Sequence, residues 1–379
     1  MRVLHFYGDH KWTGPAEPTV NLCVKLKEMG YHTHFACCPA PGGRPDMLES
    51  KAAARGLSPI TNLHLNPSLS LSNLTTAVRR VMGYIRAYNI QIVHVHQGRD
   101  HLIAGLAARH IRSAVRIVRT NYSADPLAAD WRPRLLLRRY TDGLLEISTS
   151  ATRADGDASE LPADVVGHIH GAVDLARFDP GRQLPDVRPR FGLRPDDMVV
   201  GIVARLQRRR KFDLYLKAMK IASESTPGLR GLVLGRGTYM KRVGIEPARK
   251  MGLGKTIVFP GYVGEDYEAA VAAFDMKVFL VPGSDGSCRA VLEAMAMAKP
   301  VIAAKRGVLP EIIEHERTGV LVDDDPHDIA EWILRLAGHP ALRRTIGAMA
   351  RKTAEREFAL DVQAKAVARL YENVMAKAE

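Results

Sequence analysis

Short apolar segments rich in Val, Ile and Phe alternate with amphipathic segments along most of the chain, and this alternation restricts the fold more than any other feature. It is typical of βαβ units, in which helices bury both faces of parallel strands. The series is interrupted between about 175 and 197, where four prolines and two glycines occur without periodicity. Because proline and glycine break regular elements, this stretch indicates a connection between domains. We therefore predict an α/β protein with two Rossmann-like halves.

The pattern predicts six strands in each half, near 2–7, 32–38, 90–96, 114–120, 143–149 and 165–170, and then near 198–204, 230–235, 256–261, 276–282, 299–304 and 319–323. It predicts helices at 17–30, 70–88, 99–112, 212–225, 238–251, 266–274 and 289–297, and after about 340 it is helical to the end. Open parallel sheets bind ligands beyond the carboxyl ends of their strands. We therefore expect site residues in the loops that follow strands.

Basic residues exceed acidic residues by 54 to 41, and the formal net charge is +13. A field of this sign attracts anions, whether nucleic acid, anionic lipid or phosphorylated small molecules. The hydrophobic fraction of 46% excludes a disordered chain. The four cysteines are too few and too unevenly spaced for a disulfide framework or a zinc site. Since neither a secretion signal nor a long apolar span is evident, we expect a cytoplasmic protein.

The loop after the strand "MKVFLV" is the strongest candidate for an anion site. Its sequence, "PGSDGSCRAVLEAMAMAKPVIAA", places small residues before a helix, and the backbone N–H groups from Ser287 through Ala290 are suited to a diphosphate. Arg289 adds positive charge at the same turn. Asp285 and Glu293 flank the turn and suit sugar hydroxyl groups as hydrogen-bond acceptors. The alternative is that Asp285 caps the helix and Glu293 is a solvated charge.

A second candidate is the loop in "VVGIVARLQRRRKFDLYLKAM", where Arg205 ends a strand and a basic cluster follows, Arg208, Arg209, Arg210 and Lys211. Like charges at this density repel one another unless an anion compensates them. We interpret the cluster as phosphate-binding because it follows the carboxyl end of a strand. A solvated basic face is the alternative.

Glycines mark two further loops. Gly14 follows the first strand in "YGDHKWTGPAEP" and allows a ligand to approach the backbone closely. The spacing G-x-G-x-x-G is absent there, so a dinucleotide site is not supported. Gly235 and Gly237 in "VLGRGTYM" are a weaker signal, because a two-glycine turn is usually only a turn.

Two histidines in "IVHVHQG" point to the same face of a strand, because side chains alternate along it. A zinc site needs a third protein ligand, and none is evident in the sequence. We interpret His94 as packed in the core and His96 as facing the ligand-binding edge, since it ends the strand.

Together these residues resemble glycosyltransferase family 4, retaining enzymes with the GT-B fold, over nearly the whole chain. The most specific element is a pair of acidic residues separated by seven others, here Asp285 and Glu293. Asp285 stands where the family has Glu, and Cys288 stands where it has Gly. The resemblance implies two Rossmann-like domains whose parallel sheets face each other across a cleft. It also implies a C-terminal helix that crosses back to the first domain.

Domain limits follow from the same resemblance. We expect an acceptor-binding domain at 1–172, completed by a helix at about 358–379, and a donor-binding domain at 173–357. The phrase "GHIHGAVDLARF" is similar to the one that closes the first domain in the family, with His170 in place of Asn.

The resemblance also assigns residues to the donor. "ARLQRRRKFDLYLKA" is similar to the segment whose two basic residues hold the donor diphosphate, here Arg205 and Arg210. "VFPGYV" is similar to the segment that holds the base, here Tyr262 and the backbone near Val263. The expected donor-binding set is Gly14, Arg205, Arg210, Gly235, Gly237, Tyr262, Val263, Asp285, Gly286, Ser287, Cys288, Arg289, Ala290 and Glu293. Within it we assign catalytic roles to Asp285, Arg205 and Arg210.

On the acceptor side, many members of the family carry a histidine after the strand "RIVRT", and this chain has Tyr122 there. We expect His96, Asn121 and Tyr122 to face the acceptor.

The function implied by the resemblance is transfer of a sugar, with retained anomeric configuration, from a nucleotide diphosphate sugar. A UDP-sugar is favoured over GDP-mannose, no metal or other cofactor is expected, and the acceptor is a glycan or a lipid-linked glycan of envelope polysaccharide or lipopolysaccharide synthesis. A GT-B-type epimerase is the nearest alternative. A non-catalytic basic protein that binds nucleic acid or a membrane surface is the alternative of another class, although no nucleic-acid-binding motif is evident.

The segment "WRPRLLLRRY" mixes leucines with Arg132, Arg134, Arg138 and Arg139. This composition suits a helix that lies on anionic lipid headgroups at the inner face of the plasma membrane. A buried helix with a solvated edge is the alternative.

Overall fold

The computed structural model describes residues 1–12, 14–44, 47–65, 70–111, 115–282 and 286–377. The chain divides into two compact units. Unit 1 comprises Met1–Gly171, Ser284–Ser287 and Leu360–Glu379, and unit 2 comprises Ala172–Gly283 and Cys288–Ala359. Each unit is built on one parallel sheet with helices packed against it, which confirms the predicted fold class.

Unit 1 has a seven-stranded sheet in the order β3-β2-β1-β4-β5-β6-β7. Its strands are β1 (Arg2–Tyr7), β2 (His32–Cys37), β3 (Pro59–Ile60), β4 (Ile92–Val95), β5 (Arg116–Asn121), β6 (Gly143–Glu146) and β7 (Val166–His168). Every neighbouring pair is parallel, and β1 pairs with β4 so that His5 lies opposite His94. The chain therefore alternates between strand and helix throughout this sheet.

The helices of unit 1 are α1 (Ala16–Glu28), α2 (Leu48–Ala53), α3 (Leu71–Tyr88), α4 (Gly98–His110), α5 (Trp131–Tyr140) and α6 (Thr149–Ser159), together with the C-terminal α14 (Leu360–Ala376). Helices α3, α4, α5 and α6 pack side by side in that order. Helices α1 and α14 pack together over the other side of the sheet. Successive side chains of a strand point to opposite faces of the sheet. Leu4 and Phe6 therefore face α3 and α4, whereas Val3 faces α1 and α14.

Unit 2 has a six-stranded parallel sheet in the order β10-β9-β8-β11-β12-β13. Its strands are β8 (Met198–Val203), β9 (Leu229–Leu234), β10 (Ile257–Gly261), β11 (Met276–Phe279), β12 (Val301–Ala304) and β13 (Val320–Val322). Its helices are α7 (Phe212–Ser225), α8 (Glu246–Lys250), α9 (Tyr267–Ala272), α10 (Arg289–Ala296), α11 (Leu309–Ile312), α12 (Pro326–Gly338) and α13 (Pro340–Glu357).

Most predicted strands and helices are present, with shorter strands. The predicted helix at 238–251 is instead a π-helical turn, Lys241–Ile245, followed by the short α8. The predicted set does not include helices α2, α6, α11 and α12 or strand β3. Asp325 caps α12 and Pro326 follows it, which is a recognisable helix start. Among the described residues, no helix combines the length and apolar composition needed to cross a bilayer.

The return of α14 to unit 1 depends on buried side chains such as Tyr371, which has no exposed surface and shares a 2.6 Å hydrogen bond with His94. We predict that Tyr371→Ala lowers the free energy of unfolding by about 3–5 kcal/mol, because it leaves a cavity. Tyr371→Phe keeps the ring and loses only the hydrogen bond, at about 1–3 kcal/mol. Urea unfolding measures both. Val362→Ala, at a position 38% exposed on the same helix, is the control at under about 0.5 kcal/mol. Equal effects of all three would contradict this packing.

Candidate active site

Most of the predicted donor residues of unit 2 follow three neighbouring strands, β8, β9 and β11, and Tyr262 and Val263 follow β10. Strand β8 lies between β9 and β11 in the sheet. The loops after these strands begin at Ala204, Gly235 and Leu280. Parallel pairing brings all three loops to one edge, which is where an open α/β sheet holds its ligand.

Arg210 is held close to the start of α10. Its Nη1 donates a 2.6 Å hydrogen bond to the carbonyl oxygen of Val281, in the loop after β11. Burial lowers the pKa of Arg210, and the nearby charges of Arg209 and Arg205 lower it further, whereas Cys288 acts in the opposite direction. Arg205 is exposed. The two arginines assigned to the diphosphate are therefore close enough to repel each other, and Arg210 lies near the residue that precedes α10.

The first turn of α10 begins after Cys288, which adopts a left-handed backbone conformation with φ of 53°. Cys288 is buried, and its carbonyl oxygen accepts from the backbone N–H of Val291 at 2.7 Å. A non-glycine residue in this conformation is uncommon. Asp285 lies outside the described residues, so its assignment to the donor sugar stays a prediction.

Gly286 and Ser287 group with unit 1. The N–H of Gly286 donates to the carbonyl oxygen of Tyr122 at 2.8 Å. A Cβ at this position would meet that same oxygen at 2.7 Å, so the close approach requires glycine. Ser287 is buried, with 3% of its surface exposed.

Glu293 is buried, with 4% of its surface exposed, so its interpretation as a solvated charge is wrong. Its Oε2 accepts a hydrogen bond from the hydroxyl of Tyr267, and its Oε1 lies 3.5 Å from the Nε of Arg289. Burial raises the pKa of Tyr267, and the Glu293 carboxylate raises it further. A buried carboxylate held from two sides has a fixed position, as a residue that orients a ligand needs.

Sequence reasoning missed Lys277, which lies on β11 with no exposed surface. Its Nζ donates to the carbonyl oxygen of Ala290, in the first turn of α10. Burial lowers the pKa of Lys277 to about 8, against the opposing effects of Glu293 and Cys288. A lysine inside the apolar strand "MKVF" was the available signal, because lysine is almost never fully buried unless it is paired.

Gly235 and Gly237 allow the loop after β9 to approach the loop after β8. A Cβ on Gly235 would lie 2.2 Å from the carbonyl oxygen of Ala204, and one on Gly237 would lie 2.4 Å from that of Leu206. The two glycines therefore pack loops together, whatever they contribute to a ligand. Tyr262 is 65% exposed, and the guanidinium of Arg236 lies 4.8 Å from its ring. The neighbouring Val263 is buried.

In unit 1, Gly14 precedes α1 in the left-handed conformation, with φ of 58°. The predicted acceptor residues lie at the ends of β4 and β5, and all three are buried. Asn121 donates to Glu146 at 2.8 Å and to the carbonyl oxygen of Asp125 at 3.1 Å, so it fixes the loop after β5. The ring of Tyr122 lies 5.9 Å from that of His96.

The sequence shows no evident third ligand for the histidine pair, and the structure has His5 beside it. His5 is opposite His94 in the parallel pairing of β1 with β4, and the register of these strands was the signal. The ligand nitrogens of His5, His94 and His96 all lie within 4.8 Å of one another. The rings of His5 and His96 are stacked, however, and their nitrogens are 3.1 Å apart.

His94 is already bonded at both nitrogens, to the hydroxyls of Tyr371 and Thr120 at 2.6 Å each. Burial lowers the pKa of all three histidines. We therefore describe the group as three neutral, buried imidazoles, of which His5 and His96 are stacked and His94 is tilted against both.

A second buried polar group surrounds Arg119 on β5. Burial lowers the pKa of Arg119 to about 10, opposed by the charges of Asp100 and Glu146. Burial also raises the pKa of Glu146 to about 10, and the hydrogen bond from Asn121 and the charge of Arg119 act in the opposite direction. Among the described residues, Oδ1 of Asp100, Oε1 of Glu146 and two nitrogens of Arg119 have no hydrogen-bond partner. These polar atoms lie on β5, β6 and the first turn of α4, beside the predicted acceptor residues.

Comparisons with known proteins agree with this architecture. Residues 14–177 match the model of Glycosyltransferase Family 4, and residues 197–339 match that of Glycosyl transferases group 1. The D-inositol 3-phosphate glycosyltransferase of Saccharomonospora viridis is 31% identical over 84% of this chain and 78% of its own. In fold, the chain is similar to a glycosyltransferase from Rickettsia africae, with a TM-score of 0.83 at 16% identity over 99% of this chain and 98% of that one. It is also similar to Anabaena HepE in complex with UDP, with a TM-score of 0.81 at 16% identity over 98% and 99% of the two chains.

With two units that are each built on a parallel sheet, the chain has the GT-B fold. The chain belongs to glycosyltransferase family 4, and it is a glycosyltransferase.

The lowered pKa of the buried Lys277 amine predicts how stability changes with pH. Its pKa drops from 10.5 to about 8 on folding, so between these values the folded protein binds fewer protons than the unfolded chain and stability rises with pH. A drop of this size corresponds to about 3 kcal/mol. We predict that the free energy of unfolding of the wild type, relative to Lys277→Met, increases by about that amount from pH 8 to 10.5. Denaturant unfolding at several pH values measures it. Lys217→Met, an exposed position on α7, controls for the loss of one charge, and a flat difference for Lys277→Met contradicts the buried amine.

Proposed function

We propose that this glycosyltransferase moves a sugar from a nucleotide diphosphate sugar to a hydroxyl of a glycan or lipid-linked glycan acceptor, with retention of the anomeric configuration. The observation that carries the proposal is the position of Arg210. Its guanidinium is fixed on the Val281 carbonyl beside Cys288, the residue before α10. A cation and a helix N-terminus at one place form a site for a diphosphate.

Sugar transfer requires positive groups that compensate the negative charge of the leaving diphosphate. As the bond from the anomeric carbon to the phosphate oxygen breaks, negative charge grows on the diphosphate. Arg210, Arg205 and the dipole of α10 lie where this charge develops, and they stabilise the transition state more than the bound donor. A phosphate oxygen of the leaving group takes the proton of the acceptor hydroxyl as the new glycosidic bond forms on the same face of the sugar.

Two carboxylates orient the donor in this proposal. Glu293 is buried in the second turn of α10 and is held by Tyr267 and Arg289. It is assigned to the ribose, and Asp285 is assigned to the transferred sugar. Tyr262 and the backbone near Val263 hold the base, which we propose to be uracil, because the similar fold of Anabaena HepE was solved with UDP.

The acceptor is assigned to unit 1, beside His96, Asn121 and Tyr122. We propose a role in envelope polysaccharide or lipopolysaccharide synthesis at the cytoplasmic side of the membrane. The relative from Saccharomonospora viridis carries the name of an enzyme acting on D-inositol 3-phosphate. That compound therefore belongs among the acceptors to be assayed.

Release of UDP or GDP from a panel of nucleotide sugars, with NMR of the product's anomeric centre, tests donor and stereochemistry together. Conversion of the donor into its epimer without an acceptor would instead support an epimerase.

Arg210→Ala tests the diphosphate site. We predict that kcat falls by about 10²–10³-fold at saturating donor, because a fixed positive charge is removed from the leaving group. Arg210→Lys keeps a positive charge that can bind phosphate and is expected to retain activity within about tenfold of wild type. Arg344→Ala, which removes an exposed arginine from α13, is the matched control. Near wild-type turnover by Arg210→Ala would refute this role.

Metal dependence gives a second test. Since arginines and the helix dipole are assigned to the diphosphate, we predict that excess EDTA leaves initial rates unchanged within about twofold. The rate of nucleotide release with and without EDTA, followed by addition of Mg²⁺ or Mn²⁺, measures this. A large loss of rate that Mg²⁺ or Mn²⁺ restores would show that a metal shares the role of the arginines.

A further inference from the structure

Helix α5 presents an unusual outward face. At about 3.6 residues per turn, its exposed positions follow one another around the helix in the order Arg134, Arg138, Trp131, Leu135, Arg139 and Arg132. Two apolar side chains therefore lie at the centre of the outward face, with two arginines on each side. Trp131 is 69% exposed and Leu135 is 47% exposed. Only Leu137 of this helix is buried, so the prediction of a buried helix with a solvated edge is wrong.

Most of the charge on α3, α4 and α5 is positive, although α6, which also packs on α5, carries Arg153, Asp155 and Asp157. The neighbouring helices α3, α4 and α5 together carry nine arginines and one acidic residue, Asp100, which is buried. Eight of the nine arginines are exposed. Helices α1 and α14, on the other side of the same sheet, carry four basic and four acidic residues. The positive charge is thus concentrated on one side of unit 1.

The scaffold keeps this face outward. Asp155 of α6 accepts hydrogen bonds from the backbone N–H groups of Leu127 and Ala128 at 2.7 Å each, just before α5. Asp130 caps α5 by accepting from the N–H of Arg132 at 3.0 Å. Glu160 pairs with Arg138 at the edge of the face. The helix is therefore preformed, and its two apolar side chains cannot turn inward without loss of these bonds.

We propose that α5 docks unit 1 on the surface of an anionic phospholipid membrane. Trp131 and Leu135 enter the boundary between headgroups and acyl chains, and the flanking arginines contact lipid phosphates. Helix α5 follows the carboxyl end of β5, and the loop that joins them begins at Tyr122. A docked unit 1 thus holds its acceptor residues next to the bilayer, where a lipid-linked acceptor would be presented. This last point rests on the proposed function, whereas membrane docking itself does not.

A polyanion such as nucleic acid would be attracted by the same arginines. A single strand would also stack its bases on Trp131, but it offers no apolar phase for the exposed Leu135 beside it. A fluid lipid surface uses both kinds of side chain.

The experiment is co-sedimentation of the full chain with vesicles. Wild type is expected to bind vesicles of phosphatidylcholine and phosphatidylglycerol at about 7:3, more weakly as salt rises, and to bind phosphatidylcholine alone poorly. Arg134→Gln with Arg139→Gln should weaken binding to the anionic vesicles about 25-fold, since each cation near the surface contributes severalfold. Trp131→Ser with Leu135→Ser should weaken it about tenfold or more.

The matched control is Lys365→Gln with Arg369→Gln, which removes the same charge from exposed positions of α14. It should bind within about twofold of wild type. Loss of binding by this control equal to that of the arginine pair would overturn the proposal, because net charge alone would then explain binding. Undiminished binding by the Trp131 and Leu135 variant would also overturn it. So would an oligonucleotide that binds α5 more tightly than the vesicles do and displaces them.

The α5 variants change exposed side chains, and circular dichroism checks their folding. Their transfer to a water-soluble acceptor should equal that of wild type. Absence of transfer by every variant and by wild type would count against the proposed function and leave the vesicle result to decide membrane docking.

Discussion

Parallel pairing of strands is the constraint on which the rest of this protein depends. It places the carboxyl ends of all strands of a sheet at one edge, and residues far apart in sequence meet there. In unit 2 it brings Arg205 and Arg210, after β8, to the loop after β11 and the start of α10. In unit 1 it brings His5 and His94 together across β1 and β4. Because helices cover both faces of each sheet, this edge is where polar chemistry can reach a ligand.

Buried charge fixes the start of α10. Lys277 donates a hydrogen bond to the Ala290 carbonyl oxygen. Tyr267 donates one to the Glu293 carboxylate, which also pairs with Arg289. Each of these groups loses hydration on folding and keeps its place only through its partners, so the arrangement is rigid but does not add much stability. Rigidity is what a donor site requires, since the position of a carboxylate relative to a sugar hydroxyl sets how well that sugar is held.

The fold was predictable because its signals are local and repeated. Apolar strands, amphipathic helices and the irregular stretch near 175–197 gave the two-unit α/β architecture, and α7 was predicted at its observed limits, Phe212–Ser225. What escaped prediction depends on tertiary neighbours. His5 becomes part of a histidine group only through strand register, and Lys277 touches Ala290 only through packing of β11 against α10. The exposure of α5 also could not be derived from its composition, because the same leucines could have faced a core. Asp285 and the acceptor residues remain predictions.

The last helix of the chain has a consequence for synthesis. The apolar face of the first sheet, with Val3, Ile92 and Leu145, is covered by α14 as well as α1. During translation Leu145, the last of these three residues, emerges more than two hundred residues before α14, which begins at Leu360. Unit 1 therefore cannot reach its final packing while the ribosome is still making unit 2. During that interval its apolar surface is exposed to chaperones and to incorrect partners.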